Sequence, residues 1–136
     1  MPIRLRPLAA CAALALVVAC VDSVARLLDP DVNDVRVTNT AQEFRLQATD
    51  LRNVNDRVSY RWTNSAPVAT FLHRTFIHHG TGIVVVRDAL GAIVDSTLLE
   101  FELDTETRPG VPGQWTIELF LNSARGRVDF TLSPKP

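Results

Sequence analysis

Three histidines, His73, His78 and His79, fall within seven consecutive positions and are the only imidazoles in the chain. Imidazole ligates transition metals and exchanges protons near neutral pH, so the cluster invites a metal reading. Its spacing argues against one. His78 and His79 are neighbours, and in an extended chain they point to opposite sides. No cysteine lies nearby, and the nearest acid, Asp88, sits beyond Gly80 and Gly82. A protein zinc site needs three or four convergent ligands. His73, His78 and His79 are therefore weak metal candidates, expected as turn residues facing solvent.

The acids Glu100, Glu102, Asp104 and Glu106 invite a different chemistry. Glycoside hydrolysis uses two carboxylates placed across a cleft. Glu100 and Glu102 instead share one side of an expected strand, which reads as a solvated face. The stretch 104–106 has oxygen ligands for calcium but lacks the regular spacing of an ion-binding loop. The serines at 59, 65, 96, 123 and 133 have no Gly-x-Ser-x-Gly elbow around them. His79-Gly80-Thr81-Gly82 lacks the lysine and following helix of a phosphate loop. No catalytic residue is singled out and no cofactor is called for, so the expectation is a non-enzyme. Phe120 is the exception on the polar side of its strand, between Glu118 and Asn122. An outward aromatic ring stacks on sugars or marks a partner surface; the plainer alternative is cover from the N-terminal segment or a loop.

The N-terminus carries the strongest signal. Arg4 and Arg6 precede an unbroken apolar run, residues 8–21, which contains Val17-Val18-Ala19-Cys20. A basic start, a short apolar stretch and small residues make an export signal. Fourteen residues are too few for the roughly 20 of a spanning helix; an uncleaved anchor helix is the alternative. Val17-Val18-Ala19-Cys20 resembles the lipobox of bacterial lipoproteins. The resemblance implies that Cys20 is acylated and becomes the first mature residue. Cys11, after Leu8-Ala9-Ala10, is a poorer lipobox, because cleavage there would leave almost no apolar segment behind Arg6.

Removing residues 1–19 from 136 leaves 117, enough for one domain with a core. Arg4 and Arg6 leave with the signal, so 12 Lys and Arg face 15 Asp and Glu, a balance of −3. Lys135 is the only lysine and the arginines are dispersed, so nucleic acid is not an expected partner. No thiol remains for a disulfide or a zinc site once Cys20 is acylated.

Residues 20–33 read as a lipidated tether, with Pro30 ending any helical turn built from Val24, Leu27 and Leu28. From Asp34 onward, apolar residues alternate with polar ones, the period of a half-buried strand. Phe44, Leu46 and Ala48 alternate with Glu43, Arg45 and Gln47; Val58, Tyr60 and Trp62 with Arg57, Ser59 and Arg61. The same period runs through Leu99, Phe101 and Leu103, through Trp115 to Leu121, and through Val128, Phe130 and Leu132. Less regular candidates are 35–38, 70–77, 83–88 and 92–98. Gly80, Gly82, Gly91, Gly110, Gly113 and Gly126 fall between these segments, as sheet proteins require. Turns are expected at 53–56, 64–67, 87–92 and 122–126.

About eight or nine short strands without a helical period predict an all-β fold: an antiparallel two-sheet sandwich, Ig-like or jelly-roll-like, over residues 34–136, preceded by an N-terminal signal helix. The expected core is Phe44, Leu46, Tyr60, Trp62, Phe101, Trp115, Ile117, Leu119, Val128 and Phe130. The hairpin Asp88…Gly91 and the run Trp115-x-Ile117-x-Leu119…Gly126-x-Val128-x-Phe130-x-Leu132 are similar to secreted sandwich domains of the prepeptidase C-terminal and carbohydrate-module types. That resemblance implies a fold and no functional residue. The whole reads as a membrane-anchored envelope lipoprotein, held by its acyl chain, whose domain binds an envelope protein or a glycan or is structural. A carbohydrate-binding accessory module and a small envelope hydrolase are the alternatives.

Overall fold

The computed structural model describes residues 24–136; the expected signal, its helix and Cys20 lie outside the described residues. Every described element is a strand: β1 (Arg36–Asn39), β2 (Phe44–Asn64), β3 (Val68–His73), β4 (Phe76–Arg87), β5 (Ile93–Leu98), β6 (Leu103–Glu106) and β7 (Gly113–Lys135). All seven join one antiparallel sheet. The alternation of apolar and polar residues buries one side of the longer strands β2, β3, β4 and β7, while the short edge strands β1 and β6 bury neither side.

Three long lines of chain form the frame. β2 pairs with β7 along almost its whole length. On the other side of β7 lie β3 and β4 in succession, β3 against Phe130–Lys135 and β4 against Thr116–Arg127. Short strands complete the edges: β1 beside the start of β2, β6 beside β3, and β5 beside β4.

The strands number seven instead of eight or nine because two expected turns are not turns. The segments 43–49 and 57–63 are both parts of β2, and 115–121 and 128–132 are both parts of β7. The Asn-rich stretch 53–56 and the stretch 122–126 are bulges inside continuous strands. Register shifts occur at the same level in all three lines, at 48–56 in β2, 77–81 in β4 and around 122–126 in β7. Asn53, Gly80, Ser123 and Gly126 all adopt positive φ there, at 54°, 75°, 48° and 130°. A bulge bends its strand and sharpens its twist, so this row of bulges is a crease across the sheet. Four glycines expected in connections, Gly80, Gly82, Gly113 and Gly126, therefore sit inside strands. The turns at 64–67 and 87–92 are where the sequence places them.

One apolar cluster draws on both sides of the crease. Phe44, Leu46, Trp62, Trp115, Ile117, Leu119, Val128 and Phe130 are buried, and Tyr60 packs half-buried against them. Trp62 and Trp115 are register partners whose rings meet edge to face at 6.2 Å. Phe130 touches Phe44 at 6.0 Å and Phe71 at 5.8 Å. Each such side chain, fully buried, stabilises by roughly 1.5–3 kcal/mol.

Phe101 is the core expectation that fails: it is 75% exposed. The alternation through 99–103 is not a strand. β5 ends at Leu98, the chain reverses, and β6 begins at Leu103. Leu99 alone of that turn is fully buried, its N–H donating to the Gly82 carbonyl at 2.8 Å.

Candidate functional site

The outward side of β5, β4, β7 and β2 forms a ruled surface, because register places residues in rows across it. Leu98, Ile83, Phe120 and Arg57 make one row; Ser96, Val85, Glu118 and Ser59 make the next. Phe120 thus lies in an apolar strip, but its ring is only partly open. The Arg57 guanidinium carbon sits 5.0 Å from the ring centroid, a cation–π contact. Arg57 comes from the neighbouring strand β2, so part of the cover is supplied across the sheet. Its two cross-strand partners, Arg57 and Ile83, are not aromatic.

Glu118, expected as a solvated residue, is 8% exposed. Arg57 donates to its Oε1 at 2.8 Å and Arg87 to its Oε2 at 3.4 Å. These bonds, Arg57 first, hold its carboxyl below the usual glutamate range. The site is a carboxylate clamped by two arginines beside a shielded phenyl ring. Both of its carboxylate oxygens are already committed to these arginines.

A second polar cluster lies inside. His73 faces inward from β3 and is 1% exposed, contrary to the expected solvent-facing turn residue. Its strand pairs it with Phe130 and Leu103, and its ring lies 5.6 Å from Phe71. Neither ring nitrogen has a hydrogen-bond partner. Burial, followed by Arg74, pushes its pKa down; Asp95, Asp104 and Glu102 pull the other way. Asp95 of β5 pairs with inward-facing Val86, is half-buried, and accepts a bond from Thr97 Oγ1 at 3.1 Å. Burial raises its pKa. His78 and His79 are exposed on β4, His78 against the Phe76 ring at 5.9 Å. The three histidines are not brought together, and among the described residues no three His, Cys, Asp or Glu side chains group to hold a metal.

An unsatisfied buried imidazole costs stability, which makes His73 a measurable liability. Its sign is definite. A depressed folded pKa means the unfolded chain takes up the proton first, so stability is lost as pH falls below about 6.5. We expect His73→Leu to raise stability by about 1 kcal/mol at pH 7, with the gap widening toward pH 5. Urea unfolding at both pH values measures it; an equal or shrinking gap would refute the assignment.

Asp88, expected only as the start of a hairpin turn, uses its carboxylate to hold that turn and reach beyond it. Its Oδ1 accepts the N–H groups of Leu90 and Ala92 at 3.0 and 2.9 Å, and its Oδ2 that of Val111 at 2.9 Å. The Val111 bond contributes most to its lowered pKa. It ties the β4–β5 turn to the chain entering β7. Of the acids considered for catalysis, Asp104 is bound to Arg74 at 2.6 Å and Glu106 to Lys135, while Glu100 and Glu102 are exposed in and after the 99–102 turn. Cys20 lies outside the described residues. No family model matches the chain, and no curated protein matches it.

Proposed function

We propose that the chain is exported, acylated on Cys20, and works at the membrane surface of a bacterial envelope as a non-catalytic binding domain. The domain is best read as a two-layer sandwich, the one sheet folding over at its crease. Supporting this, Phe44 from one side of the crease meets Tyr60 from the other at 5.4 Å. Trp62 Nε1 donates to the Thr40 carbonyl at 2.8 Å, Thr107 N–H donates to Ala69 and Arg108 N–H to Val94.

The observation that carries the binding reading is the ruled outer surface. An apolar strip, Leu98, Ile83 and Phe120, runs beside a clamped carboxylate, and interface cores combine apolar and arginine side chains in this way. A glycan would favour Phe120 joined to other exposed rings, and its cross-strand partners are Arg57 and Ile83. An envelope protein is the partner the surface suits better.

One experiment reads both halves. A photo-reactive residue at Ser96, on the ruled surface, is introduced into the full chain in a bacterial host, and the protein is recovered from membranes for intact mass. The expected species begins at residue 20, carries acyl mass, and yields a protein adduct after illumination. A polypeptide starting at Met1 with a bare Cys20 thiol defeats the anchor; acylated protein without an adduct defeats the docking face.

A further inference from the structure

We infer that residues 24–33 are a membrane-facing strap that lays Val24, Leu27 and Val32 on the lipid interface and holds the domain against it in one orientation. The inference rests on the acylation of Cys20 proposed above.

The described part of the expected tether, residues 24–33, is fastened to the sheet. Arg26 forms a parallel bridge with Val54: its N–H donates to the Asn53 carbonyl at 3.0 Å and its carbonyl accepts from Asn55 at 2.8 Å. Leu28 N–H donates to Asp56 Oδ2 at 2.9 Å, and the Leu28 side chain packs on the core. Asn33 is buried, donating from Nδ2 to the Asp50 carbonyl at 2.6 Å and accepting from Thr49 N–H at 3.0 Å. The strap is thus fastened at Arg26, Leu28 and Asn33 to the bulged stretch of β2.

Before the first fastening and between the others, apolar side chains are exposed. Val24 is 67% exposed, Leu27 71% and Val32 55%. Leu27 and Val32 border one hollow of about 420 Å³, which Arg26, Asp29 and Arg52 also line, Arg52 being paired with Asp50 at 3.0 Å. Exposed apolar side chains on a short segment suit a lipid interface, where they enter the boundary between headgroups and acyl chains.

Chain length selects the bilayer as occupant. Val24 is four residues from Cys20 and Leu27 seven, at most roughly 14 and 25 Å along a fully extended chain. An acyl chain on Cys20 therefore keeps these side chains near the headgroups whatever path the chain takes. The strap carries two acids: Asp29 Oδ1 accepts the N–H groups of Asp31 and Val32, while Asp31 is exposed. The contact is apolar in origin and insensitive to salt.

After acylation the mature chain has no free thiol, so an introduced cysteine is a unique label site. Nitroxide labels at positions 27, 32 and 90 are placed on the acylated protein in vesicles of phosphatidylethanolamine and phosphatidylglycerol; Leu90 is the exposed control on the β4–β5 turn. Labels at 27 and 32 should show a ratio of oxygen to aqueous-relaxant access roughly threefold or more above that at 90, unchanged by high salt. Adding Leu27→Asp should return the label at 32 to water with the acyl mass intact. Equal aqueous access at 27, 32 and 90 on acylated protein overturns the strap and spares the anchor. A protein without acyl mass overturns both.

Discussion

Trp62→Ala should cost about 3–5 kcal/mol of folding stability, the usual range for emptying a buried indole site. Three losses combine at that position. The edge-to-face contact with Trp115 disappears, a cavity opens beside a fully buried neighbour, and the Thr40 carbonyl loses the indole N–H that joins the β1–β2 turn to β2. A domain of this size has a total stability of about 5–15 kcal/mol, so the substitution removes from about a fifth to all of it. Equilibrium denaturation, with near-ultraviolet circular dichroism reporting on Trp115, gives the value. Trp62→Phe should fall between, since it keeps most of the ring volume and loses the hydrogen bond. A loss below about 1 kcal/mol for alanine would mean the Trp62–Trp115 pair is not in the core.

Gly126→Ala is the second large effect, through the backbone instead of the core. Gly126 sits at the crease of β7 with φ at 130°, and a Cβ there would lie 2.1 Å from the Phe76 carbonyl oxygen and 3.2 Å from Ile77 Cα. Those atoms are backbone of the adjacent strand and cannot rotate away. The substitution combines a left-handed φ with an overlap that must separate β4 from β7, so a cost on the order of 3 kcal/mol is expected. Amide hydrogen exchange should show the loss beginning at the β4–β7 pairing around Ile77 before it spreads. Gly91→Ala is the matched control: its φ is 84° but no atom lies within 4 Å of a Cβ, so it carries strain without collision and should cost less. Equal effects at the two positions would mean that the crease is not tightly packed.

The candidate site shows where motif reading stops. Phe120 was visible as an outward aromatic because it interrupts a polar period, but its shielding by Arg57 depends on a residue 63 positions away in the chain. Glu118 looked like an ordinary solvated strand residue for the same reason: the two arginines that clamp it come from β2 and β4. His73 looked like one of three similar turn histidines, yet strand parity puts it inward while His78 and His79 fall on the bulged, exposed stretch of β4. The signal was present in Phe71-x-His73, two positions apart on one face, but only once β3 is known to start before Phe71.

Local chemistry settles what can be settled by neighbours in the chain. The all-β character, the buried parity of Phe44, Trp62, Trp115 and Phe130, and the Asp88…Gly91 turn were readable because side-chain alternation and turn preference act over two to five residues. Long-range register decided the rest. A bulge and a turn draw on the same Asn, Ser and Gly conformations, and only the partner strand tells them apart. At 53–56 and 122–126 the pairing of β2 with β7 continues past the irregularity, turning four expected strands into two long creased ones. Likewise nothing in Arg26, Leu28 or Asn33 announces that they fasten to β2, since their partners, Asn53, Asn55, Asp56 and Asp50, are brought to them only when the sheet has formed.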